Sequence, residues 1–230
     1  MDGLTVTLAG SLNNQQTCMN STFSFTLTEQ DDGVYTFTLT QAQIKALSEI
    51  RADLAQPRRM LRLLQGDVGS GKTLVALLAM ASVVEAGSQA AMMAPTEILA
   101  RQHFERMLPL CEQAGLRLGL LTGRDKAAER NKTLAALAQG EIDILIGTHA
   151  IFQEKVVFKD LAFAVVDEQH RFGVHQRLAL GDKGENVDIL VMTATPIPRT
   201  LVLTYFGDMD VSTLREKPAG RQPIDTRALP

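Results

Sequence analysis

Aromatic side chains are scarce in this chain: they make up 5% of it, and tryptophan is absent. Packing must therefore rest on aliphatic residues, and an apolar content of 45% is ample for that. Cysteine is nearly absent too. Cys18 and Cys111 are too few and too isolated for a disulfide framework or a zinc cluster, which favours a reducing cytoplasm. No apolar run approaches about 18 residues, and no basic segment leads into an apolar one at the start. Neither a membrane span nor a secretory signal is expected. An excess of positive charge is lacking as well, since the net charge is −3. The first Lys or Arg is Lys45, preceded by Asp2, Glu29, Asp31 and Asp32, so the remainder holds 23 basic and 22 acidic residues. Overall charge thus gives no sign of nucleic-acid binding. A neutral domain can still grip a phosphate backbone through loop amides and a few local charges.

What is present centres on Gly66-Asp67-Val68-Gly69-Ser70-Gly71-Lys72-Thr73, which fits G-x-x-x-x-G-K-[ST]. An apolar run, Met60 to Leu64, leads in, and a helical pattern, Leu74 to Glu85, leads out. Glycines let such a loop curl round a phosphate and aim its N–H groups inward, while the next helix points its partly positive N-terminus at the same anion. Lys72 is placed to reach the β- and γ-phosphates and Thr73 to hold Mg²⁺. The competing reading, a Gly-rich turn that happens to carry a lysine, has no use for this strand–loop–helix setting.

Residues 1–36 read apart from the rest. They are rich in Thr, Ser, Asn and Gln, with alternating patches Leu4–Leu8 and Phe23–Leu27. A small β ribbon turning at Asp32-Gly33, or a poorly ordered leader, would both suit this pattern. From Thr40 the spacing becomes helical at Ile44, Leu47, Ile50 and Leu54, and Thr40 with Gln43 forms a capping box. Apolar runs at 60–65, 89–94, 116–121, 142–147, 162–167 and 187–193 then predict strands. Helical windows at 72–86, 96–114, 125–139, 175–182 and 198–206 lie around and between them. Short, almost continuously apolar strands suit a mostly parallel sheet buried on both faces, with helices on both sides. The expected fold class is α/β.

In such sheets ligands sit beyond the carboxyl ends of the strands. The polar signatures of the chain gather there: Pro95-Thr96-Glu97, Thr122-Gly123, Gly147-Thr148-His149, Asp167-Glu168-Gln169-His170 and Thr193-Ala194-Thr195. Asp167 can help place Mg²⁺ on the phosphates, and Glu168 can orient and activate the attacking water. His103, His149, His170 and His175 do not match zinc-binding spacings; polar contacts near the nucleotide or a partner lobe suit them better, and His175 also suits a surface or core position. Gln43 has two readings, the helix cap or recognition of a base. Phe37 could stack on a base or join the core.

Residues 37 to about 228 resemble the first motor lobe of superfamily 2 helicases, and within them the RecG family of ATP-dependent DNA helicases. The resemblance lies in Leu39–Gln43, the GDVGSGKT loop, APTEILARQH (94–103), GTHAIFQE (147–154), DEQHRFGVHQR (167–177) and TATPIPRTL (193–201). It implies a RecA-like P-loop lobe over 37–216 and a linker over 217–230, with ATP and Mg²⁺ as cofactors. Phe37 and Gln43 would recognise adenine, and Gly66 to Thr73 would hold the phosphates. Lys72, Asp167 and Glu168 would carry catalysis, with Thr73 and Asp167 on Mg²⁺. Gln169, His170, Thr193 and Thr195 would couple the nucleotide to DNA, His170 also lying near the nucleotide. Pro95, Thr96, Thr122, Gly123 and Thr148 would lie on loops touching the DNA backbone. Expected partners are branched or duplex DNA, a second RecA-like lobe after the linker and an N-terminal wedge domain that residues 1–34 do not resemble. A cytoplasmic monomer with no membrane contact is expected. Without a second lobe the chain should bind ATP weakly and turn it over barely above background. Transcription–repair coupling translocases share the architecture. From a different class, a P-loop kinase or small-molecule transferase would need an acceptor pocket and an Arg-rich lid, and a non-catalytic interaction module would not need intact Lys72, Thr73, Asp167 and Glu168.

Overall fold

A computed structural model describes residues 26–27, 35–36, 39–153, 155–167, 187–195 and 209–216. Phe37, Glu154, Glu168, Gln169, His170 and His175 lie outside the described residues, as do the helical windows 175–182 and 198–206. In the leader, β1 (Thr26–Leu27) pairs antiparallel with β2 (Tyr35–Thr36), Thr26 opposite Thr36. The turn expected at Asp32-Gly33 falls outside the described residues.

The capping box forms as the sequence predicts and starts α1 (Gln41–Leu54). The Thr40 hydroxyl accepts from the Gln43 N–H, and Gln43 Oε1 accepts from the Thr40 N–H. Then follow β3 (Leu61–Gly66), α2 (Lys72–Glu85), β4 (Gln89–Met93), α3 (Glu97–Gln113), β5 (Leu118–Leu121), α4 (Ala127–Gln139) and β6 (Ile144–Gly147). A short 3-10 turn (His149–Phe152), β7 (Leu161–Asp167), β8 (Asp188–Thr193) and β9 (Asp210–Leu214) complete the order.

Strands β3 to β9 form one seven-stranded sheet in the order β5-β6-β4-β7-β8-β3-β9, and every pair is parallel. All the carboxyl ends therefore open on one edge. The order corrects one expectation: β8 is not the last strand, because β9 follows it and docks beyond β3. The strand that delivers the phosphate loop thus has a neighbour on each side.

Strand residues alternate between two apolar layers, as a period of two requires. Ala90, Met92, Phe163, Val165, Leu190 and Met192 pack with α1, α2 and α3 on one face. Ala91, Met93, Ala164 and Val166 pack with Leu137 of α4 and Ile151 and Phe152 of the 3-10 turn on the other. Helix α2 is apolar nearly all round, and Val75 to Ala81 are all buried, which makes it the central helix of its layer. Among the described residues no helix is long and apolar enough to cross a membrane.

One buried charge ties three elements together. Arg62 of β3 lies 2.6 Å from Asp53 of α1, donates at 2.9 Å to Ser212 of β9, and approaches Glu49 at 3.6 Å. Its guanidinium fork satisfies partners that no single apolar side chain could reach.

Candidate functional site

The loop after β3 is shaped by its glycines. Gly69 and Gly71 have φ of 78° and 87°, a region other residues seldom enter. A Cβ on Gly71 would collide with Gln43 Nε2, and one on Gly66 would come within 2.9 Å of Leu214 on β9. The loop is therefore clasped between α1 and β9. Gln43, 2% exposed, donates from Nε2 to the Ser70 carbonyl at 2.8 Å. The oxygen caps α1, one of the two readings, while the nitrogen holds the phosphate loop.

Helix α2 begins at Gly71 with no side-chain cap, whereas Thr40 caps α1 and Thr96 caps α3. No side chain therefore competes with an anion for the start of α2, and the helix dipole points the same way. Lys72 Nζ donates to the carbonyls of Gly66 at 2.6 Å and Asp67 at 3.0 Å, which holds its ammonium over the loop. Thr73 lies in the same first turn. A glycine-shaped cradle, an uncapped helix end and a lysine over it fit a polyphosphate.

Asp167 ends β7 and is 9% exposed. Its Oδ2 lies 2.7 Å from Nε2 of His103 on α3, itself buried. His103 Nδ1 is buried with no hydrogen-bond partner among the described residues. Burial without a partner costs an N–H more than a lone pair, so the favoured tautomer carries its proton on Nε2 and donates it to Asp167. No spacing pattern links residues 64 apart, and sequence reasoning missed this pair.

Between β3 and β7 lies β8, so Asp167 stands two strands from the phosphate loop, about 10 Å at ordinary strand spacing. That leaves room for phosphates with a cation between. Among the described residues no three His, Cys, Asp or Glu side chains cluster as a metal cage. A hard cation that takes one or two protein oxygens and the rest from phosphate and water fits this donor set, and that is how Mg²⁺ binds nucleotides. Thr73 and Asp167 are the groups that would hold it.

At the end of β8 the hydroxyls of Thr193 and Thr195 pair at 2.9 Å, with Thr193 buried and Thr195 exposed. Towards the β5 side a second polar group forms. Thr96, which caps α3, is exposed, and Glu97, Arg101 and Arg124 line a groove beside it. Arg101 reaches Glu97 at 3.1 Å and Asp125 at 3.5 Å. Thr122 is fully buried and donates to Asp125 at 2.8 Å, so it braces this loop rather than facing outward. Gly123 and Arg124 supply the exposed surface there. Pro95 is half-buried, and Thr148 is buried at the start of the 3-10 turn.

Known proteins match most of this chain. The DEAD/DEAH box helicase family profile matches residues 40–203. The ATP-dependent DNA helicase RecG of Streptococcus pneumoniae serotype 4 is 59% identical over 191 residues, covering 83% of this chain and 28% of that protein. RecG of Bacillus subtilis strain 168 is 55% identical over 190 residues, again with 83% and 28% coverage. The chain therefore spans little more than a quarter of the length of these relatives. A solved structure of RecG bound to a three-way DNA junction superposes with a TM-score of 0.72 at 48% identity, covering 82% of this chain and 25% of that one. A DEAD box protein from Methanococcus jannaschii shares the fold at a TM-score of 0.58 and 20% identity, over 77% of this chain and 50% of its own. The similarity to RecG read from the motifs extends over most of the chain, with one RecA-like lobe as its fold, and the chain belongs to the DEAD/DEAH box helicase family.

Proposed function

We propose that this chain is the ATP-binding motor lobe of a RecG-like DNA helicase, which couples ATP hydrolysis to branch migration and to remodelling of stalled replication forks or recombination junctions. The observation that carries the reading is the uncapped N-terminus of α2 under Lys72, set two strands from the buried Asp167 on the same sheet edge. Membership of the helicase family sets aside the kinase alternative, which would need an acceptor site at that edge.

Lys72 would exchange its loop carbonyls for the β- and γ-phosphates, and the first-turn amides of α2 would hold the same anion. Thr73 and Asp167 would hold Mg²⁺, which when bound neutralises charge developing on the phosphates. Glu168 would orient and activate the attacking water, and Gln43 with Phe37 would recognise adenine. Thr193 and Thr195, with Gln169 and His170, would pass changes at the phosphates to the DNA-facing loops. On those loops Thr96, Gly123 and Arg124 would meet the sugar–phosphate backbone, a contact independent of sequence. Residues 37–216 would make the lobe and 217–230 would lead toward a second one. Residues 1–36 would be a leader outside it. The motor would work as a monomer in the cytoplasm.

The test is ATP hydrolysis with and without a three-way DNA junction, by the chain alone and joined to a second RecA-like lobe. Junction-stimulated hydrolysis that needs both lobes and vanishes in Lys72→Ala supports the reading. Strong stimulated hydrolysis by the chain alone refutes the division of labour between lobes. Stimulated hydrolysis by the joined lobes that survives Lys72→Ala refutes the phosphate site.

A further inference from the structure

We propose that His103 is a positioning residue for the cation site: its Nε2–H fixes one oxygen of Asp167 so that the other faces the metal ion of the bound nucleotide. The proposal rests on the ATP reading above and adds to it a residue on α3, far in sequence from both halves of the nucleotide site.

The pair is poorly explained as packing alone. His103 projects from α3 into the layer between helix and sheet, where Ala100 and Met107 on the same helix are fully buried. An apolar side chain would fill that place without leaving a buried imidazole nitrogen unpaired, as Nδ1 is among the described residues. Burying a polar atom without a partner costs free energy, and the 2.7 Å bond to Asp167 is the compensation on the other side of the ring.

The geometry has a consequence for a ligand. A lone aspartate can turn about two side-chain torsions, and a carboxylate free to turn presents its oxygens to a cation only part of the time. With Oδ2 held by a ring that is itself wedged between α3 and the sheet, Oδ1 has one direction. Donors that orient metal-ligating carboxylates in this way typically change metal affinity about 10–100-fold when removed. His103 also lies on the helix that Thr96 caps and that carries Glu97 and Arg101, so the side chain that orients Asp167 and the exposed groove share one rigid element.

The experiment measures Mn²⁺ affinity by electron paramagnetic resonance in the presence of ATP, and affinity for a fluorescent ATP analogue in EDTA. It compares the wild-type chain, His103→Leu, His103→Gln and Lys72→Ala. His103→Leu keeps the bulk and loses the donor, while His103→Gln places an amide N–H near the Nε2 position. Expected are roughly tenfold weaker Mn²⁺ binding in His103→Leu and recovery to within about threefold of wild type in His103→Gln. Metal-free nucleotide affinity should be unchanged in both, since neither touches the phosphate loop. That last measurement also shows that the variants are folded. Unchanged Mn²⁺ affinity in His103→Leu, or an equal loss in both variants, overturns the positioning role while Lys72→Ala still loses the nucleotide. If the wild type shows no nucleotide-dependent Mn²⁺ site, or Lys72→Ala binds nucleotide as wild type does, the ATP reading and the His103 proposal fall together.

Discussion

Gln43 joins the start of α1 to the phosphate loop: one end of its amide accepts from the Thr40 N–H at 2.9 Å, and the other donates to the Ser70 carbonyl at 2.8 Å. The two bonds can be separated by substitution. Gln43→Glu keeps an oxygen for the Thr40 N–H but sets a second oxygen against the Ser70 carbonyl. Gln43→Ala loses both bonds. Gln43→Ala should lower stability by about 1–3 kcal/mol, chiefly from the unpaired buried Ser70 carbonyl, since the Thr40 hydroxyl still accepts from the backbone N–H of residue 43. Gln43→Glu should weaken nucleotide binding with α1 still capped. Thermal melts and titration with a fluorescent ATP analogue distinguish the two, and equal nucleotide affinity in Gln43→Glu and wild type would disprove the tie.

Lys72→Ala should lower stability only modestly, by about 1 kcal/mol, because, of the two carbonyls it leaves, that of Gly66 is buried while that of Asp67 is open to water. Nucleotide affinity should fall about 10–100-fold, the value of one charge-assisted bond of about 1.5–3 kcal/mol. Calorimetric titration with ATP reads it directly.

Gly71→Ala should be damaging on two counts. The residue sits at φ 87°, and its new methyl would overlap Gln43 Nε2. The backbone term alone is about 1–3 kcal/mol. Gly87, at φ 95° with nothing near its Cβ position, is the control: Gly87→Ala should show the backbone term without the collision. Chemical denaturation of both variants gives the difference.

Asp188 links stability to pH. Burial pushes its carboxyl up from 3.8 to about 6, against the opposing hydrogen bond from the Met60 N–H at 2.6 Å. Since the folded value lies above the unfolded one, the folded chain binds this proton more tightly. The resulting stabilisation is full below about pH 4 and is lost as pH rises through about 6. Asp188→Asn keeps the acceptor for Met60 and removes the charge. It should be more stable than wild type at pH 8 by about 1 kcal/mol, a figure reduced for the water that still reaches this side chain. The gap should close at pH 4, and a gap independent of pH would contradict this assignment.

Much of the lobe was legible in the sequence because its strongest patterns are local. The capping box, the glycine loop and the apolar runs that became β3, β4, β5, β6, β7 and β8 each involve residues within a few positions of one another. What escaped needs the third dimension. Strand β9, Asp-Val-Ser-Thr-Leu, carries only two large aliphatic residues, Val211 and Leu214, one on each face, so no apolar run announces it. Its place beside β3 is set by the Arg62–Ser212 bond and by the fit of Leu214 against Gly66. The His103–Asp167 pair is invisible for the same reason, being a meeting of a helix face and a strand end. Thr122 sits in the loop that the motifs marked out, yet its side chain turns inward to Asp125. Position along the chain says which loop a residue occupies, and packing decides which way it faces.

The closure of Gly66 by Leu214 also sets an order of events during synthesis. The two residues are roughly 150 positions apart, a long-range contact of the kind that forms late in folding. Most of the phosphate loop leaves the ribosome early, but its final wall arrives only with β9. At about 5–20 residues per second that delay is of the order of ten seconds. The wall that Leu214 lends to the loop is therefore in place only once β9 has been made.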